Sequence, residues 1–405
     1  MNKKLFIILS IIFAAILGVS LAISIIGGKI EIKISPVAAD LVIIDGKEYK
    51  AISYLKIKPK SKMPTIEISK AGYKTIKDKL LTKKFKTTSK EYFLEKYASL
   101  EKIADGDIDF LNIIDSNISY YNRTTSSLKL SEDLIIKNLP SISQLEWSNN
   151  SFLITAENNA TNSILYDPKK PTDQSLLWVS DKTFKNPLSL NQNIFAALWF
   201  GNSQIIYYYE DPKTGTGSFS IAAPDGKNWK IIAPLTEGMY FISLVAVFDE
   251  KVLFEASYTD SPELSPTGAS FYRLDTKTGE VVKLFDQVIS PRVLFSPDKK
   301  KMLFEKTREG KSNLAIYFYS TGQSVNLGSS VPVSNTAWLN EKEIILFDNK
   351  KADQPLSVLN LDTNESKILE IYNPYGDLEI NQMIVSGNNL YLATQKGLYL
   401  YKLIL

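Results

Sequence analysis

SPRVLFSPDKKKMLFEKTREGKSNLAIYFYSTGQ, residues 290–323, reads as three short strands joined by two turns. An apolar run, Val293 to Phe295, enters the turn Ser296-Pro297-Asp298. A second run, Met302 to Phe304, enters Arg308-Glu309-Gly310-Lys311, and a third, Leu314 to Tyr319, ends at Ser320-Thr321-Gly322. Runs this short, bounded by Pro, Gly, Asp and Ser, are strand signals. Weaker copies fill most of the chain after about residue 100, which makes this a repeat architecture.

Seven units follow from it. Their first strands end at Ile114, Trp147, Phe200, Phe248, Phe295, Trp338 and Val385, spaced 33, 53, 48, 47, 43 and 47 residues apart. Second strands fall at Ile118–Tyr120, Phe152–Ile154, Ile205–Tyr208, Val252–Phe254, Met302–Phe304, Ile344–Phe347 and Leu390–Leu392. Third strands are expected at Ile164–Tyr166, Phe219–Ala222, Phe271–Leu274, Leu314–Tyr319, Leu356–Leu361 and Gly397–Tyr401, with fourth strands at Trp229–Ile232, Val281–Leu284 and Lys367–Leu369. Four-stranded units of about 40–50 residues are the size of propeller blades, and a closed ring leaves only short, protected edges. The last unit has room for three strands before Leu405, so Ser99 to Ala104 is expected to supply its outer strand and close the ring. The expected fold is mainly β, with a seven-bladed propeller over 99–405; six or eight blades are the alternatives. Ser296-Pro297-Asp298-Lys299-Lys300-Lys301-Met302-Leu303-Phe304 resembles the propeller repeat of the Tol-system periplasmic protein and of prolyl-oligopeptidase-type enzymes, with Lys299 where that repeat has Gly. That resemblance implies a fold and no activity.

Ahead of the repeats, Leu5 to Ile26 is an uncharged apolar run of 22 residues behind Lys3 and Lys4. At about 1.5 Å per residue it crosses a hydrocarbon core of about 30 Å. The expectation is a cytoplasmic stub over 1–4, a transmembrane helix over 5–26 and the rest of the chain outside the cell. A cleaved signal peptide is the rival, with Ser20-Leu21-Ala22 as a small-x-small site.

Residues 29–96 read as a small β domain. Ile30, Ile32 and Ile34 alternate with Glu31, Lys33 and Ser35, and Leu41 to Ile44 runs into the tight turn Asp45-Gly46. Pro36, Ala38-Ala39, Ile43-Ile44-Asp45-Gly46 and Lys70-Ala71-Gly72-Tyr73-Lys74 resemble the PEGA domain, a small β-sandwich-like module of surface proteins. Val37 stands where that family has its name-giving Glu. The resemblance implies an extracytoplasmic spacer or wall-associated module without catalytic residues. The segment is basic: Lys29 to Lys102 holds 18 Lys against 9 acids, or +9; with +2 from Lys3 and Lys4 and +3 overall, residues 103–405 carry −8. Lys77, Lys79, Lys83, Lys84 and Lys86 are candidates for contact with anionic lipid or an envelope polymer, against a plain solvated surface.

The chain has no Cys and no His, which removes disulfides, thiolate chemistry, the usual zinc ligand and any Ser-His-Asp triad. Asp105-Gly106-Asp107-Ile108-Asp109 is its densest acidic run, but as an EF-hand it would put Ile103 at position 3 and Asn112 at position 12, so the loop fails. Trp199-Phe200 and Tyr207-Tyr208-Tyr209-Glu210-Asp211 form an aromatic cluster, either a sugar-stacking platform or alternating sheet packing. The insert Tyr258 to Ser270 is polar and proline-rich, and Asp260, Glu263, Pro266 and Thr267 are its candidate contact residues. No cofactor, metal or nucleic acid is expected. The function expected is that of a membrane-anchored extracytoplasmic binding or scaffold protein, with a protein or an envelope polymer as partner. The alternatives are a carboxylate-only glycoside hydrolase or polysaccharide lyase, and a structural spacer. Paired acids at the propeller axis would favour the hydrolase.

Overall fold

The computed structural model describes residues 28–403 apart from 84–85, 115, 149–150, 159–164, 166, 168, 171–173, 236–238, 259–268, 289–292, 309–310, 350–354 and 370. The apolar leader 5–26, Lys84, and the insert residues Asp260, Glu263, Pro266 and Thr267 lie outside the described residues. Among those described, no helix is long and apolar enough to cross a membrane. The chain divides into two compact units, Met1–Ser99 with Glu370–Pro374, and Leu100–Leu369 with Tyr375–Leu405.

The first unit is built on β1 (Lys29–Ser35), β2 (Ala39–Ile44), β3 (Lys47–Ile52), β4 (Tyr54–Ile57), β5 (Thr65–Ser69), β6 (Ile76–Lys79) and β7 (Thr87–Phe93). They form two sheets, ordered β4-β1-β7 and β3-β2-β5-β6. The period-2 pattern buries Ile30, Ile32 and Ile34 from one sheet against Val42, Ile44, Ile66 and Ile68 from the other. Asp45 and Gly46 both take positive φ, 48° and 78°, as a tight β2–β3 hairpin turn requires. Across the sandwich edge, the Tyr92 hydroxyl donates to Asp78 at 2.5 Å and the Lys90 ammonium lies 2.9 Å from the same carboxylate. Those two partners hold Asp78 below the usual carboxylate range. A two-residue strand, β8 (Ala98–Ser99), pairs in parallel with Ile371–Tyr372.

Among the described residues, the second unit is a β-propeller of seven four-stranded antiparallel sheets. Their inner strands are Ile108–Ile114, Ile142–Trp147, Ile194–Phe200, Met239–Phe248, Leu294–Phe295, Thr336–Trp338 and Ile380–Ser386. The fourth and fifth sheets are also joined by a bridge, Val288 to Lys306. Closure is visible at the seam. β9 (Glu101–Asp105) forms the outer strand of the last blade, pairing with Gly397 to Leu400. Blade 7 also packs on blade 1, with Ala393 and Leu398 against Ile108, Leu111 and Tyr120. Gln382 donates to and accepts from the Leu111 backbone at 3.2 and 2.7 Å, and Asn381 donates to Asp107 and to the Ile108 carbonyl. The acidic run is structural: Asp107 takes Asn381 across the seam, and Asp109 pairs with Arg123 within blade 1 at 2.8 Å.

Between blades the glue is apolar. Phe219 and Tyr208 of blade 3 pack against Phe254 and Tyr272 of blade 4 in one buried cluster. Phe248 and Leu253 of blade 4 meet Met302 and Phe304 of blade 5, and Leu303 and Ile316 of blade 5 meet Ile344 and Leu346 of blade 6. Each blade's middle strands are apolar on both faces because each is covered on both sides.

The third strand of blade 2 is Ser175–Asp181, not Ile164–Tyr166; it pairs along its whole length with Ser151–Glu157. Of the rejected run, Ile164 and Tyr166 lie outside the described residues, while Leu165 is fully buried in the cluster of blades 1 and 2. Nearby, the buried Asn158 accepts from the Asp167 amide at 2.9 Å and donates to its carbonyl at 3.1 Å. Leu165 is apolar because it plugs a core from a loop.

Candidate binding groove on the propeller

Blade 2 ends early. Its outer strand is only Leu188–Ser189, paired to Val179 and Trp178. Blade 3 has a full outer strand, Lys230–Pro234. The outer part of the blade 3 face toward blade 2 is therefore uncovered, and a groove of about 830 Å³ opens there.

The floor of the groove continues the core between blades 2 and 3, in which Leu177, Val179, Leu190, Ile205 and Tyr207 pack together. Its wall carries Tyr209, and Trp229 and Ile231 stand on its rim, 58% and 49% exposed. Polar lining comes from Ser189, Asn191, Thr216, Ser218, Asp211 and Asp225. Among the described residues no Lys or Arg lines it; Lys227, just outside, offsets Asp225, and Asp211 leaves the groove slightly acidic although the chain is basic overall. Asp225 lies in the Ala223–Lys227 turn, where the Lys227 ammonium at 2.7 Å holds its carboxyl below the usual range.

The aromatic run splits by sheet alternation. Tyr207 faces the blade 2–3 core and Tyr208 the blade 3–4 core, and both are buried. Burial, with Glu210 beside it, pushes the Tyr208 hydroxyl up to about 12. Trp199 is also buried, so only Tyr209 of the triple tyrosine contributes a partly open ring to the groove. Trp229 escaped functional notice in the sequence because it read only as the start of a fourth strand. The signal that exposes it is the brevity of the neighbouring blade's outer strand.

A second cavity, of about 360 Å³, lies on the propeller axis, lined by inner-strand residues that include Leu111, Leu145, Leu244, Leu294, Thr336 and Met383. These come from six different blades, which locates the centre of the ring. Its one acid among the described lining residues is Glu146. Part of Glu146 stays open to the channel while protein encloses the rest, and that enclosure pushes its carboxyl up to about 7, against smaller opposing help from Gln144 and the Trp199 amide. Because the folded value lies above the unfolded one, the folded state binds the proton more tightly. Stability is then lost as pH rises from about 4.5 to about 7. Glu146→Gln should flatten this slope and raise stability at pH 8 by on the order of 1–2 kcal/mol. Urea titrations at pH 5 and pH 8 check it; equal differences at both would contradict it.

The sequence candidates are scattered. Lys77 and Lys79 lie on β6, with Lys77 3.3 Å from Glu67. Lys83 and Lys86 sit together in the segment before β7, joined by an amide-to-carbonyl bond of 3.2 Å. Among the described residues, no group of three or more Asp, Glu, His or Cys is arranged to hold a metal.

No family model and no curated protein matches the chain. Solved structures resemble it at low identity. The propeller domain of the Trilobed protease from Pyrococcus furiosus is 14% identical, covering 76% of this chain and 96% of its own, with a TM-score of 0.43. YCF48 bound to D1 peptide is 11% identical, covering 76% and 98%, with a TM-score of 0.47. TolB from Acinetobacter baumannii is 15% identical, covering 78% and 79%, with a TM-score of 0.36. All three are similar in fold alone.

Proposed function

We propose that this chain is a membrane-tethered, extracytoplasmic binding protein, and that the blade 2–3 groove takes a strand of uncharged or amine-bearing glycan from the cell envelope. The apolar leader supplies the tether and the PEGA-like sandwich the spacer. The observation that carries the reading is the groove: an open cleft with Tyr209 and Trp229 at its mouth, hydroxyl and carboxylate groups between them, and no basic side chain among its described lining residues. Aromatic faces stack on the apolar face of a pyranose, and Asp, Asn and Ser accept or donate to its hydroxyls. A lining of hydroxyls and aromatic rings, with Asp225 offset by Lys227 and Asp211 adding a negative charge, favours a neutral or cationic ligand over an anionic one.

Binding is favoured over hydrolysis by the placement of the acids. Two-carboxylate hydrolysis needs a general acid and a second carboxylate within about 5–10 Å. The axial cavity offers Glu146 alone among its described lining residues. In the groove, Asp225 is shifted down, the wrong direction for a general acid.

The test is retention of the full chain, in detergent, on immobilised chitosan and cellulose oligosaccharides. Trp229→Ala should weaken retention about tenfold or more, the loss of roughly one stacking contact plus its share of desolvation. Unchanged retention in Trp229→Ala, or none by the unaltered chain, sinks the glycan reading. Capture of a peptide in the same groove would replace it with a protein-binding one.

A further inference from the structure

The two ends of the small sandwich differ in charge, and the chain enters at the basic one. β1 begins at Lys29, directly after Gly27-Gly28 and the apolar run ending at Ile26. β1 and β7 run parallel with Lys29 opposite Thr87, so the start of β7 lies at this same end. The Lys29 amide donates to the Lys86 carbonyl at 3.1 Å, and a Cβ on Gly28 would run into the Lys83 and Lys86 carbonyls. The β4–β5 connection lies here as well, because Ile57 pairs with Ile30 and the Thr82 amide donates to the Lys62 carbonyl at 2.8 Å.

This end therefore gathers exposed Lys29, Lys58, Lys60, Lys62, Lys83 and Lys86. Asp45 is taken up there by the Ser61 and Thr65 amides, and Lys47 and Glu48 at the hairpin tip cancel each other. Two apolar side chains stand out among the lysines, Met63 and Leu81, 53% and 59% exposed. They are neighbours, since Leu80 donates to the Pro64 carbonyl. The opposite end is balanced: Lys70 pairs with Asp40, and Lys74 with Glu95.

We infer that this end is a lipid-facing surface, in which Lys62, Lys83 and Lys86 take anionic headgroups while Met63 and Leu81 enter the interface. The inference rests on the leader's being retained in the bilayer. Only Gly27 and Gly28 separate Ile26 from Lys29, a reach of only about 10 Å over three Cα steps, so a leader that spans the membrane leaves this end against the headgroups. Lysines beside exposed apolar side chains are what such an interface selects. The anchoring surface is thereby narrowed: Lys77 is paired with Glu67, whereas Lys62 joins the set.

The absence of cysteine allows a clean test with single-cysteine variants of the full chain, Met63→Cys, Leu81→Cys and Ala71→Cys, each carrying an environment-sensitive dye, in lipid nanodiscs. Ala71 is the exposed control at the opposite end. With phosphatidylglycerol present, a lipid-borne quencher should remove about half or more of the emission at 63 and 81, the depth expected of an interfacial contact, and leave 71 bright. Exchange to neutral lipid, which leaves the protein untouched, and Lys62→Gln/Lys83→Gln/Lys86→Gln should each restore emission at 63 and 81. Failure to co-elute with nanodiscs overturns the retained anchor and this surface together. Co-elution with unquenched labels at 63 and 81 overturns the surface alone. Shielding that appears only when polyphosphate is added to neutral discs assigns the lysines to an anionic polymer and likewise overturns the lipid reading.

Discussion

Replacing Gly397 by Ala should destabilise the propeller by about 3 kcal/mol or more, a shift of roughly 6 °C in a domain of this size. Gly397 stands opposite Asp105 at the seam, where β9 joins the last blade. Its φ of 153° is one that residues with a Cβ rarely adopt. A Cβ there would also collide with the Ala104 carbonyl oxygen and come within 2.6 Å of the Lys102 Cε. The lysine chain can swing away, but the carbonyl belongs to the closing strand. Relief therefore requires β9 to peel off. Gly201→Ala separates the two penalties: Gly201 has φ 68° and open space for 4 Å around the point its Cβ would occupy, so it carries only the conformational cost of about 1 kcal/mol. Thermal melts of both variants, with hydrogen exchange at residues 101–105, read the difference. Equal melting of the two would mean that the seam does not hold the ring.

Phe254→Ala should cost about 3–5 kcal/mol, the range for truncating a fully buried aromatic. Phe254 is fully buried, its ring centroid 4.8 Å from Phe219 of blade 3 and 5.3 Å from Tyr272. Blades touch through their faces, and among the described residues no ladder hydrogen bonds link blade 3 to blade 4. The cavity left would sit where two sheets meet, and neither can collapse into it without tilting. Ile368→Ala, on an outer strand and half exposed, should change stability by less than about 0.5 kcal/mol. Denaturant titration separates them; similar midpoints would show that the ring is not held by inter-blade packing.

The ring was legible in the sequence because blade strands carry a strong signal. Inner and middle strands are covered on both faces, so Met302–Phe304 and Ile344–Phe347 read as continuous apolar runs. The seam was legible because the last unit falls one strand short of four, and Glu101–Asp105 supplies it. The third strand of blade 2 was not. Ile164–Tyr166 and Leu176–Val179 are both apolar runs, and only packing shows Leu165 to be a plug from a loop. The groove was hidden for a different reason. Trp229 and Ile231 alternate as an ordinary strand does, and their exposure depends on how little of blade 2 reaches past them. That shortfall is a property of a neighbour in space. The lysines were visible as a count; their gathering at one end depends on strand register that composition does not carry.

The most direct test of the groove uses the chain's own fluorescence. Of its five tryptophans, Trp147, Trp178, Trp199 and Trp338 are buried or partly buried, and Trp229 alone is exposed. Acrylamide quenching of the full chain should show one readily quenched component that vanishes in Trp229→Phe. Saturating chitosan or cellulose oligosaccharide should shield that component and shift it to the blue. A component that stays fully quenchable at saturating oligosaccharide would contradict the glycan groove.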